Sequence, residues 1–126
     1  MAYTPFDPSK PDPSSQNGTQ FGQSIVNNLK ALRDACIMGG GFFGWPLAVS
    51  GGTAEQPTTF TYGNTTLNGT ERVRAVVTWG TAGGEAGNPT QVVYSYSNTS
   101  GSSWDTIKTK TITYDSSGNV TATSWS

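Results

Sequence analysis

Acid–base and nucleophilic chemistry has little to work with in this chain. Histidine is absent, which removes Ser-His-Asp and Cys-His catalysis, His-ligated zinc and a His-based pH switch together. The single cysteine, Cys36, excludes an intrachain disulfide and any multi-cysteine metal site. Eight carboxylates remain: Asp7, Asp12, Asp34, Glu55, Glu71, Glu85, Asp105 and Asp115. A glycosidase needs two of them facing each other across a cleft. Most fall in turn, cap or strand-end positions, where solvation accounts for them. Asp115 opens the turn sequence DSSGN, and Asp105 beside Trp104 is the pair closest in kind to a sugar site. No calcium loop of the D-x-[DN]-x-[DN]-G form occurs. The run Gly39-Gly40-Gly41 lacks the GxxxxGK[ST] pattern of a phosphate loop. No nucleophile, base and orienting group form a set, so the sequence predicts no catalytic residue, no metal site and no cofactor.

Side chains suited to binding are more plentiful. Tyr62, Tyr94, Tyr96, Trp104, Tyr114 and Trp125 fall on strand-like segments, where aromatic faces can stack on the apolar faces of sugars. Tyr94, Tyr96 and Trp104 are the candidate contacts for a host surface glycan. The competing expectation is that these rings are core, because Leu, Ile and Val are few in the last 70 residues or so. Tyr3 and Phe6 are two apolar anchors in a proline-rich start. A third set is helical. Apolar residues at Phe21, Ile25, Leu29, Leu32 and Cys36 are spaced 4, 4, 3 and 4, and from Ile25 onward this is a heptad seam. Two heptads are too short to be stable alone, so the seam must pack on its own domain, on symmetry mates or on a larger assembly. Cys36 on that seam is either a small buried hydrophobe or an intermolecular cross-link.

Composition narrows the class. Only 33% of the 126 residues are hydrophobic and only 12% are charged, the remainder being dominated by Gly, Thr, Ser and Asn. With 11% aromatics this looks like exposed β-structure and not disorder, which combines few aromatics with high net charge. A net charge of −1 offers no basic surplus for phosphates, so nucleic-acid binding is not expected. No apolar run approaches the roughly 20 residues that span a bilayer. The start MAYTPFDPSKPDPSSQNG has neither a basic n-region nor an apolar h-region. Synthesis in the cytoplasm is therefore expected, for a protein whose composition is that of an exposed surface. A virus particle released by lysis reconciles the two. Five N-x-[ST] sequons, at Asn17, Asn64, Asn68, Asn98 and Asn119, then follow from Asn, Ser and Thr abundance.

The elements that must position these residues read as follows. Residues 1–18 carry Pro5, Pro8, Pro11 and Pro13 and form an extended arm, in places polyproline-II-like. Residues 19–38 form an amphipathic helix, with Thr19 as the expected cap, Arg33 near the end where it suits the helix dipole, and Gly39 to Gly41 as the stop. Residues 39–57 are a Gly-rich joint with the aromatic cluster Phe42, Phe43 and Trp45, three rings that must be covered. Residues 58–126 form an antiparallel β-domain, a meander or sandwich, because the connections are too short for parallel pairs. Strands are predicted at 58–62, 71–79, 91–97, 103–114 and 119–125, with a long flexible loop at 80–89. In the fourth, Ile107 falls out of phase with Trp104, Ile112 and Tyr114, which predicts a bulge near Asp105 to Lys108. The fold class is mainly β: an arm, one short helix and a small antiparallel sheet.

Two segments resemble a known family. NNLKALRDACIMGG followed by FFGWP is similar to the N-terminal regions of tailed-bacteriophage fibre and virion proteins, where a Pro-rich start and a short helix precede a glycine-rich joint. The stretch ERVRAVVTWGTAGGEAGNPTQVVYSYSNTSGSSWDTIKTKTITYDSSGNVTATSW resembles a small β-module of such proteins. The resemblance implies a place in the virion, contact with tail, neck or capsid proteins, oligomerisation (often as trimers) and no catalysis by the module. The proline-rich arm is then expected to dock on another virion protein, with Tyr3 and Phe6 filling pockets. In a homotrimer, Phe21, Ile25, Leu29, Leu32 and Cys36 would face partner helices, with Phe42, Phe43 and Trp45 sealing the joint. The chain stops after the first β-module, which favours a short tail fibre or fibre adaptor, or a capsid decoration protein, over a long receptor-binding fibre.

Overall fold

In the computed structural model the described residues are 5–10, 17–39, 45–63 and 69–126. They contain one helix, α1 (Gly18–Met38), and six strands: β1 (Leu47–Gly52), β2 (Pro57–Gly63), β3 (Arg72–Trp79), β4 (Pro89–Ser97), β5 (Asp105–Tyr114) and β6 (Val120–Trp125). The fold is mainly β with a single helix after the N-terminal region, as expected. The chain divides into two compact units, one within residues 3–41 and one from residue 42 onward.

In the first unit, α1 begins at a capping box. The Asn17 side chain accepts the Gln20 backbone N–H at 2.9 Å, and the Gln20 side chain accepts the Asn17 N–H at 3.0 Å. Two orphan donors of the first turn are thus satisfied reciprocally. The cap is therefore Asn17 and not the expected Thr19, which lies inside the helix. Gly39 closes the other end, its N–H donating to the Ala35 carbonyl at 2.9 Å. Arg33 does not serve the helix terminus. It donates from Nε and Nη2 to Asp34 Oδ1 at 2.9 and 2.7 Å, while Lys30 Nζ reaches Asp34 Oδ2 at 2.7 Å.

Before the helix, Asp7-Pro8-Ser9-Lys10 makes a turn, with the Lys10 N–H donating to the Asp7 carbonyl at 3.2 Å. Asp at the first turn position and Pro at the second are the residues this geometry favours. The turn is pinned to α1 by Asn28. Its Nδ2 donates to the carbonyls of Asp7 and Lys10 at 2.9 and 2.7 Å, and its Oδ1 accepts the Asp7 N–H at 3.0 Å.

The second unit is one antiparallel meander in the order β1-β2-β3-β4-β5-β6. Register assigns the faces. Leu47 pairs with Tyr62, Tyr62 with Val73, and Val73 with Tyr96, while Val49, Phe60, Ala75 and Tyr94 form the next row. Lys110 pairs with Trp125 on the same side. Side chains alternate across a strand, so the opposite face carries Ser50, Thr59, Thr61, Arg74, Ser95, Thr109, Thr111 and Ser124. One face is thus mainly aromatic and aliphatic, and the other is mainly hydroxyls, with Arg74, Val76 and Val93 among them.

The expected strands are all present. The register slips between Tyr94 and Ser95, where Tyr94 faces Lys108 and Ser95 faces Thr106, so Ile107 is the extra residue of a bulge at the expected place. That residue is fully buried. Two features differ from expectation. β1 lies in the stretch read as a glycine–aromatic joint. The segment 80–89 is no loose loop. Gly80 N–H donates to the Asn88 carbonyl at 2.8 Å, Gly87 N–H to the Gly80 carbonyl at 3.0 Å, and the short 3-10 turn Gly83–Glu85 sits between. Gly84 has no room for a side chain, because a Cβ there would run into the Asp115 carbonyl.

Among the described residues, the apolar side chains buried in this unit are Val73, Tyr96 and Ile107. Phe60, Tyr62, Val77 and Tyr94 stay half-buried. A sheet ordinarily covers its apolar face with a second layer, and here all six strands belong to one sheet.

Candidate functional site

The most unusual feature of the molecule is the distribution of polarity around α1. Its buried residues are Asn28, Ala31, Asp34 and Ile37. Asn28 is occupied by the arm turn, and Asp34, with no exposed surface, is held between Lys30 and Arg33. A buried carboxylate is tolerable only with partners of this kind, and removing one would strand the other charges. The outward face carries Ile25 (39% exposed), Val26 (57%), Leu29 (62%) and Leu32 (55%), with the exposed Cys36 continuing the row. Residues three and four apart share a helix face, so the expected heptad seam is a continuous exposed apolar stripe in the single chain. A helix that packs only on its own domain buries its whole apolar face; α1 buries Ala31 and Ile37 together with the polar Asn28 and Asp34 and leaves the heptad row exposed. Phe21, at the start of the seam, is half-buried. Val26 belongs to the stripe but falls outside the 4, 4, 3, 4 spacing.

The other candidate residues are placed as follows. Phe6 is exposed (49%) on the arm, one residue before the pinned turn, and Tyr3 lies outside the described residues. Trp45 is half-buried just before β1, and Phe42 and Phe43 lie outside the described residues. The three candidate glycan contacts are not brought together. Tyr94 and Tyr96 share the apolar face, but Tyr96 is buried and its hydroxyl donates to Glu71 Oε1 at 2.8 Å. The Trp104 ring stacks over the Arg74 guanidinium at 4.0 Å. Arg74 pairs with Ser95 and so projects to the hydroxyl face. Burial lowers the Arg74 pKa from its ordinary value, and its Nε has no hydrogen-bond partner among the described residues.

The aromatic neighbour of Tyr94 is instead Trp125, with ring centroids 5.9 Å apart and planes tilted by 36°. Lys108 and Lys110 place their Nζ atoms 5.9 and 5.5 Å from the Trp125 ring. Trp125 is 47% exposed. Tyr94 and Trp125 are two strands apart, and no spacing in the sequence signals such a contact.

The carboxylates are dispersed. Asp7 accepts from the Ser9 hydroxyl and backbone, which lowers its pKa. Asp115 accepts from the backbone and side chain of Asn119 and from the Ser117 N–H, which lowers its pKa also. Both organise their own turns. Among the described residues no three of His, Cys, Asp and Glu gather where a metal ion could sit, and no helix is long and apolar enough to cross a membrane. Comparison with protein-family models, with curated proteins and with solved structures finds no match to this chain.

Proposed function

We propose that the chain is a non-enzymatic structural component of a tailed-phage particle, a short tail fibre or fibre adaptor that self-associates through α1 and attaches through its N-terminal arm. The observation that carries this reading is the exposed apolar stripe Ile25, Leu29, Leu32 and Cys36 at heptad spacing, on a helix whose buried side is Asn28, Ala31, Asp34 and Ile37. Such spacing suits a partner helix of the same kind, and three copies around an axis would bury the stripe of each. The arm is then the attachment element. Phe6 stands exposed beside a turn that Asn28 fixes to the helix, so its presentation to another virion protein costs less ordering entropy than for a loose tail. The same attachment would serve a capsid decoration protein, which differs in the particle surface it meets.

Deleting residues 1–6, which removes Tyr3 and Phe6 and keeps the Asp7–Lys10 turn and the Asn17 cap, tests this. The truncated protein should remain a folded oligomer and fail to join particles. Full incorporation of the truncation would overturn the assignment. A second reading, a carbohydrate-binding module, is favoured by the Tyr94–Trp125 pair with its two lysines. Trp125→Ala would then abolish binding to host surface glycan with the fold intact. If the chain is purely structural, no glycan binding is found to lose.

A further inference from the structure

The two edges of the sheet carry an inference that builds on the self-association reading. β1 and β6 are the outermost strands, and every residue of both is exposed. A strand at a sheet edge offers a row of free N–H and C=O groups, and monomeric proteins blunt such edges with lysine, proline, inward-pointing charge, bulges or short length. Neither edge strand carries lysine, proline or any charge, and the register slip of β6 is confined to its first residues: β1 reads LAVSGG and β6 reads VTATSW. The sheet's large exposed hydrophobics, Leu47, Val49, Val120 and Trp125, all lie on these two strands.

The edges also match each other. Both are six residues long. Each strand of the meander runs antiparallel to the next, so the first and the sixth run in opposite directions. A copy placed beside β6 by rotation about an axis along the strands would therefore continue the meander with its own β1. Aligned over their full length, Leu47 stands opposite Trp125, Ala48 opposite Ser124, Val49 opposite Thr123, and Ser50 opposite Ala122. Leu47, Val49, Thr123 and Trp125 belong to the apolar face; Ala48, Ser50, Ala122 and Ser124 belong to the hydroxyl face. The irregular ends coincide too. Gly51 and Gly52 take positive φ, and the β5–β6 register slips at the opposite end of the partner strand, between the Thr113–Ala122 and Tyr114–Val120 pairs. No charges meet across this seam.

We propose that the partner at each edge is a second copy of this chain, β6 of one copy pairing antiparallel with β1 of the next. The contact is head-to-tail, so it closes into a ring when the rotation closes. The test uses paired cysteines in a Cys36→Ser background. Ala48→Cys with Ser124→Cys, and Val49→Cys with Thr123→Cys, sample two consecutive rows, one of which is the narrow type that suits a disulfide. The variants are oxidised in dilute solution and run on non-reducing gels, and the masses of the unsubstituted protein and of the Cys36→Ser parent, both reduced, are taken by light scattering, the unsubstituted protein giving the mass that decides. The proposal expects the band to shift from 13.2 kDa to multiples of it in at least one pair, with no shift in any single-cysteine variant. An oligomeric mass with no cross-link in either pair overturns edge pairing and leaves the helix-based assembly standing. Cross-links in a single-cysteine variant mean like edges pair, which overturns the head-to-tail arrangement. A monomeric mass overturns both readings.

Discussion

Replacing Leu29 and Leu32 together with glutamate should convert the assembled protein to monomers without unfolding the helix. The two leucines are 62% and 55% exposed in the single chain. Complete burial of such a side chain is worth about 1.5–3 kcal/mol, so the exposed fractions leave about 2–3.5 kcal/mol per copy to be gained on assembly. Losing that alone weakens association by roughly 30- to 300-fold for each copy. Carboxylates brought to a common seam add a desolvation penalty of several kcal/mol per charge, so no assembly should survive at working concentrations. The monomer should barely notice. Exposed substitutions ordinarily shift stability by less than about 0.5 kcal/mol, glutamate is nearly as good a helix former as leucine, and a carboxylate at position 29 stands four residues before Arg33, the favourable order for a pair. The assay is light scattering behind size exclusion, with far-UV circular dichroism of the same sample. An oligomer that persists in the double variant would refute the assignment of the stripe as the interface. Loss of helix in a protein already monomeric would show that the stripe is needed within the chain.

Three further outcomes follow from single residues. Ile107→Ala removes the fully buried bulge residue and should cost about 2–5 kcal/mol, read as a fall in the thermal midpoint of the sheet; a midpoint within a degree of the parent would contradict its burial. Asn28→Ala removes three hydrogen bonds to the arm turn, so the Asp7 amide should lose its protection from hydrogen exchange while the helix amides keep theirs. Asp115 should titrate below the usual aspartate value of about 3.9, because Asn119 and Ser117 donate to its charged form. A depressed folded pKa means that this stabilisation is complete above the unfolded value and lost as pH falls through the folded one. An NMR titration checks it, and an ordinary value would show that the turn does not hold the carboxylate.

Much of the architecture was legible because local patterns carried it. The 4, 4, 3, 4 spacing marks α1 and its apolar seam, alternation marks β3 and β4, turn signals bound β2 and β6, and the phase slip at Ile107 marks the bulge that the register contains. β1 is not legible because LAVSGG is short and ends in two glycines, which weaken any strand signal. The cap differs because Thr19, itself a good capping residue, lies inside a helix that starts two residues earlier at the reciprocal pair Asn17 and Gln20. The polar side of the helix was illegible. Nothing local says that Asn28 will bind two carbonyls of a preceding turn, or that Asp34 will be buried between Lys30 and Arg33. The Tyr94–Trp125 pair needed the register of three strands, and Trp104 was separated from the tyrosines by a single residue of parity on β3.

The central claim is that the outward stripe of α1 joins copies of this chain. The most direct measurement is the molar mass of the intact protein in solution by light scattering coupled to size exclusion. The account predicts three times the chain mass of 13.2 kDa. A mass equal to one chain at micromolar concentration would contradict it.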